Sequence, residues 1–215
     1  MTPIQSQSPA CRWLAVGDIH GCLAQLTELM ERVKPTFADR VVFLGDYVDR
    51  GPDSAGVIDY LIEFAAIFPK TVFLRGNHEQ MFLDYLDGQD SAMFLINGGR
   101  QTLDSYRDRR MWPIPISHRR FFESLEHSFE SEHHIFVHAG LRPGIPLAEQ
   151  ADFDMLWIRH EFLESEFDWG KAIVYGHTPR QEPLLGDHRI GVDTGCVYGR
   201  QLTCCEVITQ RIWQV

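Results

Sequence analysis

Clustered positive charge is the clearest absence in this chain of 215 residues. Lysine and arginine together number 20 against 30 aspartates and glutamates, which gives a formal net charge of −10, and no stretch is rich in basic residues. Because nucleic-acid backbones are bound by clustered cations, we expect no nucleic acid as a partner. A few arginines inside one pocket would still be enough to bind a single phosphate group.

The sequence also lacks any apolar run near the length of about 20 residues that crosses a bilayer, so we expect no membrane partner. Residues 1–11 are polar and lack the apolar middle of a secretory signal, which predicts a disordered terminus. The five cysteines are odd in number and form no C-x-x-C pair. This pattern favours reduced, structural thiols in a cytoplasmic protein.

No internal repeat and no linker rich in serine, proline or glycine divides the chain, so we expect one domain over residues 1–215. In the first half, short apolar runs alternate with helical periodicity over about residues 22–34 and 54–68, an order typical of a parallel α/β sheet. The second half carries four short strand candidates between turn residues. We expect two packed sheets with helices outside, the first sheet mainly parallel and the second mixed.

Three further helical stretches are predicted. The first covers about residues 78–106, with interruptions at Gly88 and at the Asn-Gly-Gly sequence of residues 97–99. A shorter helix is expected over about residues 119–127. The third, over residues 153–165, would carry Arg159.

Three polar segments at near-equal spacing are the most informative feature that is present. They read GDIHG at residues 17–21, GDYVDRG at 45–51 and GNHE at 76–79, and each follows a short apolar run. Each is therefore predicted to be a loop at the carboxyl end of a buried strand, where open α/β sheets place their ligand sites. Together they supply carboxylates, imidazoles and one carboxamide, which are ligands for two metal ions that activate water.

Ligand chemistry divides these side chains between two ions. Asp18 and His20 are two residues apart in an extended segment, so both can reach one cation. Asp46 has two oxygens that could bridge two cations, and two later histidines again follow strand candidates. The first ion is predicted to take Asp18, His20 and Asp46, and the second to take Asp46, Asn77, His138 and His177. We expect two divalent ions, manganese first, with iron or zinc as alternatives.

These segments resemble the phosphoprotein phosphatase family of metallophosphoesterases, in its small bacterial and phage branch. The resemblance runs from Trp13 to about Leu202. It implies the four-layer α/β/β/α sandwich of calcineurin-like metallophosphoesterases, with a dinuclear site at the loop ends of the central sandwich. The metal ligands of the family fall on the same six residues that ligand chemistry selects.

The resemblance also implies roles for other side chains. His78 would be the general acid that protonates the leaving oxygen, and Asp49 would orient its imidazole. Arg50 and Arg159 would bind the phosphate oxygens, and Arg75 is a weaker candidate for the same pocket. Arg159 ends the sequence LWIR, which is similar to the Leu-Trp-x-Arg segment of the bacterial branch.

The resemblance implies a metal-dependent phosphoprotein phosphatase whose partners are phosphorylated proteins or peptides. It would hydrolyse phosphoserine and phosphothreonine, with phosphotyrosine left open, by direct attack of a metal-bridging hydroxide. One alternative is a symmetrical bis(5'-nucleosyl)-tetraphosphatase, although Glu79 weighs against it because that relative usually reads Gly-Asn-His-Asp. A second alternative is a catalytically silent binding module. No sequence feature indicates an oligomeric state.

Overall fold

The computed structural model describes residues 11–215. The disorder expected over residues 1–11 therefore lies outside the described residues, apart from Cys11, which is exposed. Within the described range, no helix is both long enough and apolar enough to span a bilayer.

Ten strands and eight α-helices are assigned within residues 11–215. The strands are β1 (Trp13–Val16), β2 (Arg40–Phe43), β3 (Val72–Phe73), β4 (Ser128–Glu130), β5 (His134–Val137), β6 (Ala172–Tyr175), β7 (Leu184–Leu185), β8 (Arg189–Gly191), β9 (Thr203–Glu206) and β10 (Arg211–Gln214). The α-helices are α1 (Leu23–Val33), α2 (Ser54–Ile67), α3 (Asn77–Leu86), α4 (Ser91–Phe94), α5 (Arg100–Asp108), α6 (Ile116–Glu123), α7 (Asp152–Trp157) and α8 (His160–Leu163).

The strands form two five-stranded sheets, in the orders β10-β9-β1-β2-β3 and β4-β5-β6-β8-β7. In the first sheet β1, β2 and β3 are parallel, whereas β9 pairs antiparallel with both β1 and β10. The first sheet is thus mixed and not mainly parallel, because the C-terminal hairpin returns to pair beside β1. The second sheet is mixed as predicted, with β5, β6 and β8 parallel and an antiparallel strand at each edge.

Side chains alternate between the two faces of each strand, and this alternation produces four layers. In β1, Leu14 and Val16 face the helices α1 and α2, while Ala15 faces the second sheet. Ala15 belongs to a core shared by the two sheets, which includes Phe136 of β5 and Val174 of β6. The outer face of the second sheet packs against α7, α8 and their connection. The predicted α/β/β/α sandwich is therefore confirmed.

The predicted helix over residues 78–106 is divided into α3, α4, a kinked turn (Leu95–Gly99) and α5. The turn arises at Gly98, whose φ of 100° lies in the left-handed region that glycine tolerates. The expected helix over residues 119–127 begins and ends earlier, as α6.

The helix predicted over residues 153–165 is wrong in one important respect. It is broken between α7 and α8, where Arg159 has φ −134° and ψ −90°, so Arg159 lies in a kink and not on a helix face. Just before the kink, α7 is bonded to the segment that follows β5, because the carbonyl of Met155 accepts a hydrogen bond from the backbone N–H of Ala139.

Candidate metal centre

The polar segments meet at one edge of the two sheets. Asp18 and Asp46 follow the ends of β1 and β2, and the first turn of α3 brings Asn77 and His78 to the same place. From the second sheet, residues 138 and 177 follow the ends of β5 and β6 and add two histidines. Parallel strands end at the same edge, which explains why residues so distant in sequence converge here.

The backbone of this edge is strained. Among the described residues, eight non-glycine positions have positive φ, and five of them belong to the predicted site: His20, Asp46, Asp49, Arg50 and His177. Left-handed backbone is unfavourable for residues with a Cβ and persists where surrounding contacts impose it. The fold thus holds these side chains in orientations that relaxed loops would not adopt.

Asp46 lies at the centre of two clusters. Its Oδ2 is 3.5 Å from His20 Nε2 and 3.9 Å from His78 Nε2. Its Oδ1 is 3.4 Å from His138 Nε2, which in turn is 3.2 Å from His177 Nδ1. The ligand atoms within each cluster lie within 4.8 Å of one another, and the first cluster contains His78, predicted as the general acid, where Asp18 was predicted. The two oxygens of one carboxylate therefore face two different cation-sized clusters.

The other two predicted ligands lie beside the second cluster. Asn77 Oδ1 is 3.0 Å from His138 Nε2. Both carboxylate oxygens of Asp18 accept from the backbone N–H of His177 at 3.1 Å. Gly176 makes this approach possible, because a Cβ there would lie 2.3 Å from Asp18 Oδ1.

Burial favours the neutral form of the histidines, and hydrogen bonds fix the orientation of two of their rings. Nδ1 of His20 is 2.8 Å from the carbonyl of Val48, and Nδ1 of His138 is 2.8 Å from the carbonyl of Leu44. Each Nδ1–H therefore donates to a carbonyl, which leaves the Nε2 lone pair facing the cluster. Burial lowers the pKa of His20 to about 3, that of His138 to about 4 and that of His177 to about 2.

Burial shifts the pKa values of the carboxyl groups in the opposite direction, upward. Burial, and then repulsion from Asp193 and Asp46, raises the pKa of Asp18 well above its usual range. Burial and the charge of Glu79 do the same to the pKa of Asp46. Buried like charges are costly without a countercharge. Oxygen and imidazole donors without thiolate, with excess negative charge, fit divalent cations of the manganese, iron or zinc type.

Glu79 organises the central loop, a role that the sequence did not reveal. Its side chain is fully buried and accepts from the backbone N–H groups of Gly76, Asp46, Tyr47 and Val48 at 2.7–3.3 Å. The available signal was its position three residues after Gly76, typical of a capping carboxylate at a helix start. Glu79 thereby links the start of α3 to the loop that carries Asp46.

His78 and Asp49 form a buried pair with 2.7 Å between Nδ1 and Oδ2. Thr102 donates to the other oxygen of Asp49 at 2.6 Å, and it also accepts from the backbone N–H of Asp49 at 2.8 Å. Burial lowers the pKa of His78 and raises that of Asp49, because it disfavours the charged form of each. Thr102, on α5, was not singled out from the sequence.

Two of the three predicted phosphate-binding arginines face the clusters. Arg50 Nη1 is 2.8 Å from His20 Nε2, and Arg159 Nε donates to His177 Nε2 at 3.1 Å. The backbone N–H of Arg50 donates to the carbonyl of Gly98, so the kink after α4 contacts the loop that carries Arg50. Arg75 has different partners: its guanidinium donates to Gln80 and to the carbonyl of residue 122.

Two packed mixed sheets carry buried histidine–aspartate clusters at their common edge, an arrangement consistent with a dinuclear metal site. A family model for calcineurin-like phosphoesterases matches residues 12–204, and the chain belongs to this family. The family resemblance noted in the sequence is thereby confirmed. The protein is a metallophosphoesterase hydrolase.

Individual relatives divide over substrate. The chain is 32% identical to serine/threonine-protein phosphatase 1 of Salmonella typhimurium, over 89% of this chain and 90% of that protein. It is 29% identical to an asymmetrical bis(5'-nucleosyl)-tetraphosphatase, PrpE of Oceanobacillus iheyensis, over 87% and 85% of the two chains. A solved structure provisionally assigned as a diadenosine tetraphosphatase superposes with a TM-score of 0.75 at 25% identity, covering 97% of this chain and 94% of the other.

Proposed function

We propose that this chain is a metal-dependent phosphatase that hydrolyses phosphoserine and phosphothreonine in proteins or peptides. The observation that carries the proposal is the approach of two guanidinium groups to one centre, Arg50 from the first sheet and Arg159 from the second. The two guanidinium groups carry two positive charges and lie beside the two clusters. They could therefore pair with the two negative charges of a single phosphoryl group. The 32% identical phosphatase relative supports the same substrate class.

Six residues would hold two divalent ions, with manganese proposed first and iron or zinc as alternatives. When bound, such ions supply Lewis-acid activation of water and neutralise phosphoryl oxygens. Asp46 would contact both ions, one through each oxygen. One ion would also contact Asp18 and His20, and the other would also contact Asn77, His138 and His177.

His78 would act as the general acid. Its Nε2 faces the Asp46 cluster, while its Nδ1 is fixed by Asp49, so a proton on Nε2 would lie on the side where a phosphoryl group binds. Alkoxide leaving groups such as that of serine are basic and need this proton. Asp49 would orient the imidazole and favour its protonated form, with Thr102 fixing Asp49 in turn.

A second candidate is asymmetrical dinucleoside tetraphosphate hydrolysis. The tetraphosphatase relatives favour it, and they are of the asymmetrical kind, unlike the symmetrical enzyme considered from the sequence. One structural observation also supports it. The ring of Tyr198 is 57% exposed and lies 5.8 Å from the guanidinium of Arg50, where it could stack against a nucleobase.

A side-by-side measurement of kcat/KM separates the candidates. Phosphoserine, phosphothreonine and phosphotyrosine peptides would be compared with diadenosine tetraphosphate at equal manganese, with p-nitrophenyl phosphate as a reference. The proposal predicts that phosphoserine and phosphothreonine peptides are the best natural substrates. A clear preference for the dinucleotide would transfer the assignment to the second candidate, and no turnover of any substrate would favour a binding module.

A further inference from the structure

A cleft of about 430 Å³ opens beside the candidate metal centre and is not used by the chemistry proposed above. Its apolar lining comes from α3, α4 and α7: Met81, Met93, Phe153, Leu156 and Trp157. Met81 and Leu156 are buried and form part of the floor, whereas Phe153 is 71% exposed and Met93 is 43% exposed. Exposed large apolar side chains around a concave surface mark binding sites more often than chance exposure does.

Trp157 lines the cleft and also contacts a predicted metal ligand. Its ring lies edge-on to the ring of His177, with centroids 6.2 Å apart. On the other side, Trp157 stacks with Phe153 at 6.3 Å. Consecutive Cα atoms of a peptide are about 3.8 Å apart, so positions one or two residues from a bound phosphoresidue lie about 4–8 Å from it, the same scale as the contact between Trp157 and His177.

The charge of the cleft argues against an anionic occupant. Three carboxylates line it, from Asp84, Asp90 and Asp152. Against them the lining holds one arginine, Arg75, and one histidine, His127. Arg75 donates to Gln80, and Nδ1 of His127 is 2.8 Å from Asp152. Three carboxylates against one arginine leave the lining with a net negative charge, which disfavours a second phosphoryl group more than an apolar side chain on a neutral or basic peptide.

We propose that this cleft is a subsite for an apolar side chain that lies one or two positions from the phosphorylated residue of a peptide substrate. The proposal rests on the phosphatase function proposed above and adds a sequence preference to it. Phe153 and Met93 are its specificity-determining residues, and neither is placed in the metal centre.

The test uses a phosphoserine peptide in which leucine is placed in turn at each of the two positions on either side, compared with glycine at the same positions. Burial of part of a leucine side chain should favour the best leucine peptide by about tenfold in kcat/KM. Phe153→Ser and Met93→Ser should reduce this preference to about twofold or less, with p-nitrophenyl phosphate turnover unchanged. Phe37→Ser is the matched control, since Phe37 is 72% exposed and does not line the cleft.

Several outcomes would overturn the proposal. Equal turnover of leucine and glycine peptides by the unmodified protein would remove the subsite while leaving the phosphatase function intact. A leucine preference that persists in both variants would show that the subsite lies elsewhere on the protein. Loss of diadenosine tetraphosphate turnover in Phe153→Ser, with no effect on peptides, would show that the cleft binds a nucleobase. Turnover of p-nitrophenyl phosphate but of no phosphopeptide would instead reject the proposed function itself.

Discussion

The two sheets contribute unequally to the metal centre. The loops after β1 and β2, with the start of α3, carry the carboxylates, the His78–Asp49 pair and Arg50, and they contain four of the five left-handed site residues. The second sheet and its helices add two histidines and Arg159, with a single left-handed residue, His177. The first sheet thus supplies most of the charge and the strained backbone, while the second adds two of the proposed metal ligands and one of the two arginines proposed to bind phosphate.

The largest effect should come from the residue that connects the two halves. Asp46→Asn removes the charge that faces both clusters, so we expect loss of metal and a fall in phosphopeptide kcat by ~10⁴-fold or more. Metal content by elemental analysis and turnover would be measured together. Asp104→Asn, in an exposed pair with Arg107, is the control and should leave both unchanged. Near-normal activity of Asp46→Asn would contradict the proposal that Asp46 contacts both ions.

A smaller effect is expected from replacing His78, the proposed proton donor. His78→Asn should lower kcat on a phosphoserine peptide by about 10²–10⁴-fold, because the serine leaving group needs a proton. The loss should be clearly smaller on p-nitrophenyl phosphate, whose leaving group is weakly basic. Metal content should stay at the level of the unmodified protein. A drop in bound metal would mean that His78 coordinates and does not donate.

The two arginines allow the halves to be compared directly. Arg159→Ala and Arg50→Gln should each lower kcat/KM by ~10–100-fold, the value of one or two charge-assisted hydrogen bonds, with metal content unchanged. Arg107→Ala, in an exposed surface pair, serves as control. If only the Arg50 variant loses activity, the second sheet provides metal ligands without a phosphate contact.

The smallest effect concerns stability and not catalysis. Burial raises the pKa of Asp193 to about 6 from its usual 3.8, so the metal-free folded state binds this proton more tightly than the unfolded chain does. The stability that this proton supplies is full at low pH and is lost as pH rises through about 6. An asparagine at position 193 can still accept the 2.9 Å hydrogen bond from the backbone N–H of Gly195, and it cannot ionise.

Asp193→Asn in chelator should therefore be more stable than the unmodified protein by on the order of 1–3 kcal/mol at neutral pH, and by little near pH 4. Thermal unfolding at the two pH values measures the difference. An advantage of equal size at both would show that ionisation of Asp193 is not its cause.

Much of this arrangement could be predicted because its signals are local. Strands β1, β2 and β3 end where the polar segments begin, and residues two apart on an extended segment share a side. The sequence therefore predicted the fold, and the structure brings its six proposed ligands to one edge. Their roles in binding metal stay predictions.

Other features depend on contacts distant in sequence and gave no local signal. Glu79 acts through the backbone of a loop 33 positions earlier, and Thr102 reaches Asp49 from α5. The break at Arg159 was missed because residues 153–165 read as one helix, while tertiary contacts decide otherwise. The antiparallel pairing of β9 with β1 likewise joins residues far apart in sequence, such as Leu14 and Glu206.

The most direct test of the shared centre is a metal titration. Chelator-treated protein would be titrated with manganese while bound metal per chain and phosphopeptide turnover are followed in the same samples. The account predicts no activity without metal, binding of two ions per chain, and full turnover only when both are bound. Full activity with one ion per chain, or with none, would contradict it.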